Sequence, residues 1–316
     1  GEFAYMYGIL VGQTTRAIAK GELITTENLI HKSADYSLTK EIKRWQAPSC
    51  DQWANRTFLG YQRKDGSVGT ANHWLVVPMV FCENGNVEIL RTSMTQALGL
   101  ARRTQYEIFT SDLAKAYQGK KDPAEVKLQD EGVSCLSPVF PNLDGVRFLT
   151  HGMGCGETRG ISNELCGLLA GYACNPNVGG ITVLSLGCQH AQVSILEEEI
   201  QKRSPLFDKP LLVFEQQKYL SEREMLEDAI RQTFSGLNQI NRQMRIPTPL
   251  SKLCLGMECG ASDGFSGISA NPAMGHAADL TVALGGRVIL SEFPELCGVE
   301  QEIVNRCIDR KTGDRF

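Results

Sequence analysis

No stretch of this 316-residue sequence approaches the roughly 20 apolar residues needed to span a bilayer. The amino terminus, Gly1-Glu2-Phe3-Ala4-Tyr5-Met6, has neither a basic segment nor a long apolar one, so no secretory signal is read there. Gly1-Glu2-Phe3 reads like a cloning scar, and the sequence is expected to begin inside a longer chain. Strong charge of either sign is also missing. A net charge of −4 gives no electrostatic case for nucleic acid or an acidic membrane surface, and neither is expected as a partner. The 11 cysteines are odd in number and scattered, unlike the dense spacing of a small secreted scaffold. The expected setting is therefore a reducing cytoplasm, with most thiols buried and a few available to a metal. No Gly-x-Ser-x-Gly elbow, Walker loop or complete dinucleotide fingerprint occurs, so hydrolysis by a serine nucleophile, phosphoryl transfer and hydride transfer lack support.

What is present falls into three parts. Residues 1–31 read as the remnant of a small β-rich module, with a Lys20-Gly21 turn between apolar runs. Residues 32–57 are polar and without periodicity, and read as a linker. From residue 58 a rhythm of apolar strands and helices begins. Strands are expected at 74–81, 146–150, 181–186, 210–214, 252–257 and 287–290. Helices are expected at 158–173, 193–202, 221–245 and 272–284, with weaker helical spacing over 88–118. Ser221 and Glu224 have the spacing of a capping box. Pro78 inside the first strand argues for an edge or a bulge. The alternation predicts an α/β domain over 58–316, a mostly parallel, Rossmann-like βαβ sheet. Ligands of such sheets bind at the carboxyl ends of the strands.

Three expected strands end in a cysteine beside glycine: His151-Gly152-Met153-Gly154-Cys155, Gly187-Cys188 and Cys259-Gly260. One such turn is ordinary, and three in one βαβ series point to a shared rim. Thiolate and imidazole are ligands for soft or borderline metals, although the wide spacing matches no zinc finger. Ser262-Asp263-Gly264-Phe265-Ser266 leads to Asn271-Pro272, an expected helix start with Asn271 as N-cap, suited to an anion such as a carboxylate. Asp263 and Asp279 could ligate a hard cation or orient hydroxyls. Glu292 and Glu295 follow the last strand, and His73 and His276 are read more readily as surface or packing residues than as catalysts.

Together these segments resemble the altronate dehydratase/galactarate dehydratase family. The likeness runs through Gly60, Arg63, Asp65-Gly66 and Val68-Gly69, then His151-x-x-Gly154-Cys155 and Gly187-Cys188. It continues through Cys259-Gly260-x-Ser262-Asp263-x-x-Ser266-Gly267-x-x-Ala270-Asn271-Pro272 and ends with Ser291-Glu292-x-Pro294-Glu295 and Gly298-x-Glu300-Gln301. It is closer to the altronate branch, and residues 7–31 are similar to the family's small SAF-type module. The resemblance implies a hydro-lyase removing water from an aldonate, assisted by Fe2+ or Mn2+. It makes His151, Cys155, Cys188 and Cys259 the metal candidates. Arg63, Asn72, Ser262, Asp263, Ser266 and Asn271 become substrate contacts, and His73, His190 and Glu292 candidates for proton transfer. It also implies that a C-terminal domain is missing and that a homo-oligomer is possible.

The chemistry itself sets demands. The proton beside a carboxylate is weakly acidic, so a base must take it, an acid must help the neighbouring hydroxyl leave, and a cation must hold the developing negative charge. Three cysteines around an open iron position would also suit a [4Fe–4S] dehydratase, which stays open against a single ion. Departures from the family pattern at Ala71, Gln189 and Ala261 keep a non-catalytic sugar-acid-binding homologue open. A related elimination, loss of sulfite from a sulfonated hydroxy acid, is the third reading.

Overall fold

The computed structural model describes residues 1–6, 9–32, 44–101, 104–128, 137–260, 265–296 and 299–316. Ser262 and Asp263 lie outside the described residues. The chain forms two compact units, Gly1–Arg56 with Pro249–Phe316, and Thr57–Thr248. The domain expected over 58–316 thus divides at Thr248.

In the first unit β1 (Phe3–Met6), β2 (Ile9–Thr14) and β3 (Leu29–His31) make a three-stranded antiparallel sheet. The second unit opens with β4 (Thr57–Gln62) and β5 (Val68–Gly69), the antiparallel hairpin expected from the Asp65-Gly66 turn. Next come β6 (His73–Pro78), α1 (Asn84–Ala97), α2 (Gln105–Gln118), β7 (Gly145–Phe148), α3 (Arg159–Cys174) and β8 (Val178–Ser185). Then follow α4 (Val193–Arg203), β9 (Leu211–Glu215), α5 (Glu222–Ile240) and β10 (Ile246–Pro249), which pairs with β4.

Strands β6 to β9 form one parallel sheet in the order β7-β6-β8-β9. Side chains alternate across it, as the pleat requires. Trp74, Val76, Leu184 and Phe214 pack with Val87, Leu90 and Met94 of α1 and with Met225, Ala229, Leu237 and Ile240 of α5. Leu75, Val77, Ile181 and Val183 pack on the other face with Leu165, Cys166 and Leu169 of α3 and with Leu196 and Ile200 of α4. The expected α/β class is therefore observed, with helices on both faces of a parallel sheet.

Trp74 centres one layer. A Cβ added to Gly180 or Gly236 would come within 2.3 or 2.2 Å of its ring, so both positions must be glycine for the indole to fit. The indole N–H donates to Thr182 Oγ1 at 2.9 Å, and Thr182 shares a 2.7 Å bond with Thr233. Ser221 caps α5, its Oγ accepting from the Glu224 N–H at 3.2 Å.

Pro78 makes neither an edge strand nor a bulge. It is the last residue of a central strand, two residues past the Val76–Phe148 pair. Leu149 N–H already bonds the Val76 carbonyl and Met79 N–H the Leu184 carbonyl, so Pro78 faces a side where β7 has ended and no donor is needed.

The first unit resumes with β11 (Cys254–Met257), α6 (Ala270–Ala283) and β12 (Arg287–Leu290), a βαβ unit with two parallel strands, followed by α7 (Glu300–Arg306) and α8 (Arg310–Arg315). The three glycine-flanked cysteines therefore do not share one sheet. Cys155 and Cys188 follow β7 and β8, while Cys259 follows β11 in the other unit. The helix expected from residue 272 begins at Ala270, which places Asn271 inside its first turn rather than at the N-cap.

Candidate functional site: two carboxyl-end cavities

In the central sheet the chain leaves β6 toward α1 on one face and leaves β8 toward α4 on the other. Adjacent strands whose connections diverge this way open a crevice at their carboxyl ends. Three segments meet there: Phe81–Glu83 after β6, 151–157 after β7 and 187–192 after β8. Phe81 N–H donates to the Met153 carbonyl at 2.9 Å, and His190 and Ala191 N–H both donate to the Gly154 carbonyl, at 3.0 and 3.3 Å. Gly154 has φ +110°, and a Cβ there would lie 2.3 Å from the Met79 carbonyl oxygen. Only glycine lets the β7 loop lie this close to the end of β6.

His151 fastens that loop. Its Nε2 lies 2.8 Å from the Pro78 carbonyl oxygen and its Nδ1 accepts from Met153 N–H at 3.2 Å. Both ring nitrogens are thus engaged within the protein. The Glu157 carboxylate is equally committed, accepting from Gly154 and Cys155 N–H and from Ser162 Oγ at 2.5, 3.2 and 2.9 Å. Burial works to raise its pKa, but these hydrogen bonds outweigh it and hold the carboxyl below its ordinary range. Gln189 is buried, taking Gly187 N–H on its oxygen and donating to Ser185 Oγ, each at 2.6 Å.

Beside these residues lies a cleft of about 490 Å³, lined by Arg159, Asn163, Cys188, Gln189, His190, Gln192 and Ile195. The structure thus brings Cys188 and His190 together, next to a cation at the start of α3. Cys155 is half-buried and Cys188 exposed. Sequence reasoning missed two residues at this rim. Cys82 is exposed, just beyond β6, and Glu83 is 1% exposed. One Glu83 oxygen accepts from Asn86 Nδ2 at 2.9 Å and the other has no partner. Burial, with a smaller contribution from Glu222, pushes this carboxyl above its ordinary pKa.

Arg63, Asn72 and His73 lie at the opposite, amino-terminal rim of the sheet. Arg63 is buried, donating to Pro176 O at 2.8 Å, Gln243 Oε1 at 2.6 Å and Asn72 Oδ1 at 3.2 Å. Asn72 is fully buried, donating to Ile240 O at 3.1 Å, and its N–H reaches Asp144 at 2.7 Å. The donors of this knot are engaged within the protein, which is where the structure places the expected substrate contacts Arg63 and Asn72. Burial and nearby Arg147 hold His73 below the usual histidine range. Its Nδ1 is buried without a partner, away from the carboxyl ends, so the proton-transfer role expected of it is set aside.

The other unit has its own cavity, about 710 Å³, at the carboxyl ends of β11 and β12. Its lining includes Cys259, Asn271, His276, Asp279, Glu292, Glu295 and Arg306. Asn271 Nδ2 lies 3.7 Å from Cys259 Sγ. Glu292 has φ +60°, the left-handed region, where a residue with a Cβ is strained. The strained backbone follows from the turn: Ser291 is anchored twice to the Met257 carbonyl, by N–H at 3.0 Å and Oγ at 2.9 Å, and Glu292 O then accepts Glu295 N–H at 2.9 Å. Ser266 opens a short 3-10 turn ahead of α6 and is not among the lining residues. Asp279 accepts from the Trp45 indole at 3.0 Å.

Among the described residues, no three of His, Cys, Asp and Glu converge where one metal ion could sit. With both His151 nitrogens and the Glu157 carboxylate committed to the backbone, the described residues do not fit a single Fe2+ or Mn2+ ion, and no step is routed through one. No helix among the described residues is long and apolar enough to cross a membrane.

Parallel strands with glycine-turned carboxyl ends, each set with a cavity of polar and titratable side chains beside it, define an α/β protein. The chain belongs to the D-galactarate dehydratase/altronate hydrolase family: the family's second domain matches residues 60–241, and the D-galactarate/altronate dehydratase C-terminal domain matches residues 250–316. It is 28% identical to an altronate dehydratase of Bacillus subtilis (strain 168), over 96% of this chain and 52% of that protein. It is also 28% identical to the altronate dehydratase and to the galactarate dehydratase (L-threo-forming) of Escherichia coli (strain K12), in each case over 98% of this chain and 53% of the relative. The chain therefore spans about half the length of the curated relatives it matches.

Proposed function

We propose that this chain carries the proton-transfer chemistry of a hydro-lyase that removes water from a sugar acid of the altronate type, giving a 2-keto-3-deoxy acid. The observation that carries this reading is Glu292, a carboxylate held in left-handed backbone on the wall of a cavity that also holds Asn271, His276 and Arg306. Strain of this kind gathers at functional sites. Family membership supplies the reaction class.

The substrate carboxylate pairs with Arg306 and receives the Asn271 amide at the start of α6, where the helix dipole favours an anion. Glu292 takes the proton from the carbon beside that carboxylate. The electrons of the C–H bond become a carbon–carbon double bond as the neighbouring C–O bond breaks. His276 gives a proton to the departing hydroxide, which leaves as water. The enol left behind becomes the 2-keto acid, and the proton on Glu292 returns through solvent to His276. The carboxylates of Glu258, Asp279 and Glu295 make this wall acidic, so Arg306 is the cation that offsets the charge of an anionic ligand.

The test is product formation with altronate, galactarate and related acids. A 2-keto-3-deoxy acid appearing with turnover supports the reading. Sulfite released from a sulfonated hydroxy acid would mark the related elimination, and binding without any product would overturn catalysis in favour of a binding homologue.

A further inference from the structure

At the carboxyl end of β8, the cleft of about 490 Å³ lies between the loop that follows the strand and the start of α3. That is the end of a parallel sheet where ligands bind, and the size falls among small-molecule sites, about 300–1,000 Å³. The loop is held in place from within the protein. Gln189 is buried and bonded at both ends of its amide, to Gly187 N–H and Ser185 Oγ. His190 and Ala191 are tied by their N–H groups to the Gly154 carbonyl. A ligand entering here pays little to order the wall that receives it.

The charge of the lining is one-sided. Arg159 lines the cleft, and among the described residues no Asp or Glu does. The Glu157 carboxylate is spent on Gly154 and Cys155 N–H and on Ser162 Oγ, outside the lining. Among the described residues, the side chains of Arg159 and Asn163 have no hydrogen-bond or ion-pair partner. Gln192 gives its amide nitrogen to the Gln189 carbonyl and keeps its oxygen as an acceptor. The cavity of the other unit is the contrary case, with four carboxylates, Glu258, Asp279, Glu292 and Glu295, on its wall. An unpaired guanidinium in a cleft without carboxylates suits a carboxylate, which it binds through two parallel hydrogen bonds. One cation suits one carboxylate. The amides of Asn163 and Gln192 offer a donor and an acceptor to hydroxyl groups, which need both.

We infer that this cleft is a second sugar-acid site, separate from the cavity that holds Glu292, and that it takes a polyhydroxy monocarboxylate with its carboxylate on Arg159 and its hydroxyls on Asn163 and Gln192. Cys188 lies on the same wall with its thiol exposed, so an occupant of the cleft covers it. The inference takes its ligand class from the dehydration reading. Its test reads the covering of a thiol rather than turnover, so each can fail alone.

The experiment alkylates the whole reduced chain with iodoacetamide and follows each cysteine by mass spectrometry, with altronate, with the uncharged alditol of the same carbon chain, or with inorganic phosphate. Altronate at about ten times its Kd is expected to slow alkylation of Cys188 roughly tenfold, by mass action. Cys254, exposed and outside the cleft, should react as before. The alditol and phosphate should protect far less, the first lacking the charge and the second the hydroxyls. Arg159→Gln should raise the altronate concentration needed by about tenfold or more, the worth of a hydrogen bond to a charged group. Arg306→Gln, in the other cavity, should leave it unchanged. Arg159 is exposed, and circular dichroism with the urea midpoint checks that its variant folds. No protection by altronate, equal protection by the alditol or by phosphate, full protection in Arg159→Gln, or its loss in Arg306→Gln would each overturn the assignment. Product formed without protection of Cys188 sinks this site alone, and protection without product supports it while sinking the dehydration reading.

Discussion

The side-chain amide of Asn271 points at the sulfur of Cys259, Nδ2 to Sγ 3.7 Å, and so ties the first turn of α6 to the end of β11. Two cavity-lining residues far apart in the chain are thereby held at one spot. The amide N–H that reaches sulfur here is the group proposed to reach a substrate carboxylate. A hydrogen bond to a charged group contributes about 1.5–3 kcal/mol. Asn271→Ala is therefore expected to lower kcat/KM roughly tenfold or more, with the urea midpoint little changed. Steady-state kinetics beside equilibrium unfolding separates the two effects.

Arg63 is the opposite case, a buried charge whose donors are engaged within the fold. Removing it leaves Asn72 Oδ1 and the Pro176 carbonyl without their donor in a buried place. Arg63→Ala is expected to destabilise the chain by about 3 kcal/mol or more. Arg63→Lys should not rescue it, because an ammonium cannot reproduce the planar fork. Denaturant unfolding checks both, and substrate affinity of the folded fraction should be unchanged.

Glu83 gives the chain a pH signature. Its folded pKa is raised above the ordinary 4.5, chiefly by burial. From that value upward to the folded pKa, the native state binds more protons than the unfolded chain, so stability falls as pH rises through this window. Glu83→Gln removes the titration. The variant should match the parent near about pH 4 and exceed it by about 1 kcal/mol near about pH 8. Urea midpoints measured across that range, equal at every pH, would contradict the assignment of this group.

The backbone at Glu292 predicts a conflict between stability and activity. Glycine adopts φ +60° without the steric penalty that Glu292 bears. Glu292→Gly is expected to raise stability by about 1 kcal/mol while turnover is lost, a pairing that a merely structural glutamate would not show. Thermal unfolding and product assay on the same preparation read both.

Much of the central sheet was legible in the sequence because its strands are short apolar runs bounded by turns, and its helices bury one face. Residues 181–186 and 221–245 pointed to β8 and α5 for that reason. The split after Thr248 was not legible. Residues 254–257 and 287–290 look like further strands of one sheet, and only their pairing with each other, rather than with β9, places them apart. The partners of Arg63 and Asn72 were not legible for a related reason: Pro176, Ile240 and Gln243 are distant in sequence. In the other unit, Cys259, Asn271 and Glu292, each singled out by residue type, line one cavity, while the strain at Glu292 exists only in the folded turn.

The most direct measurement compares the whole chain with Glu292→Gln, reading sugar-acid binding by calorimetry and 2-keto-3-deoxy acid formation in the same samples. The expected result is that both proteins bind the acid and only the parent makes product. Product at an undiminished rate from Glu292→Gln, or binding by the parent with no product from any sugar acid, would contradict the proposed role of Glu292 and the dehydration it carries.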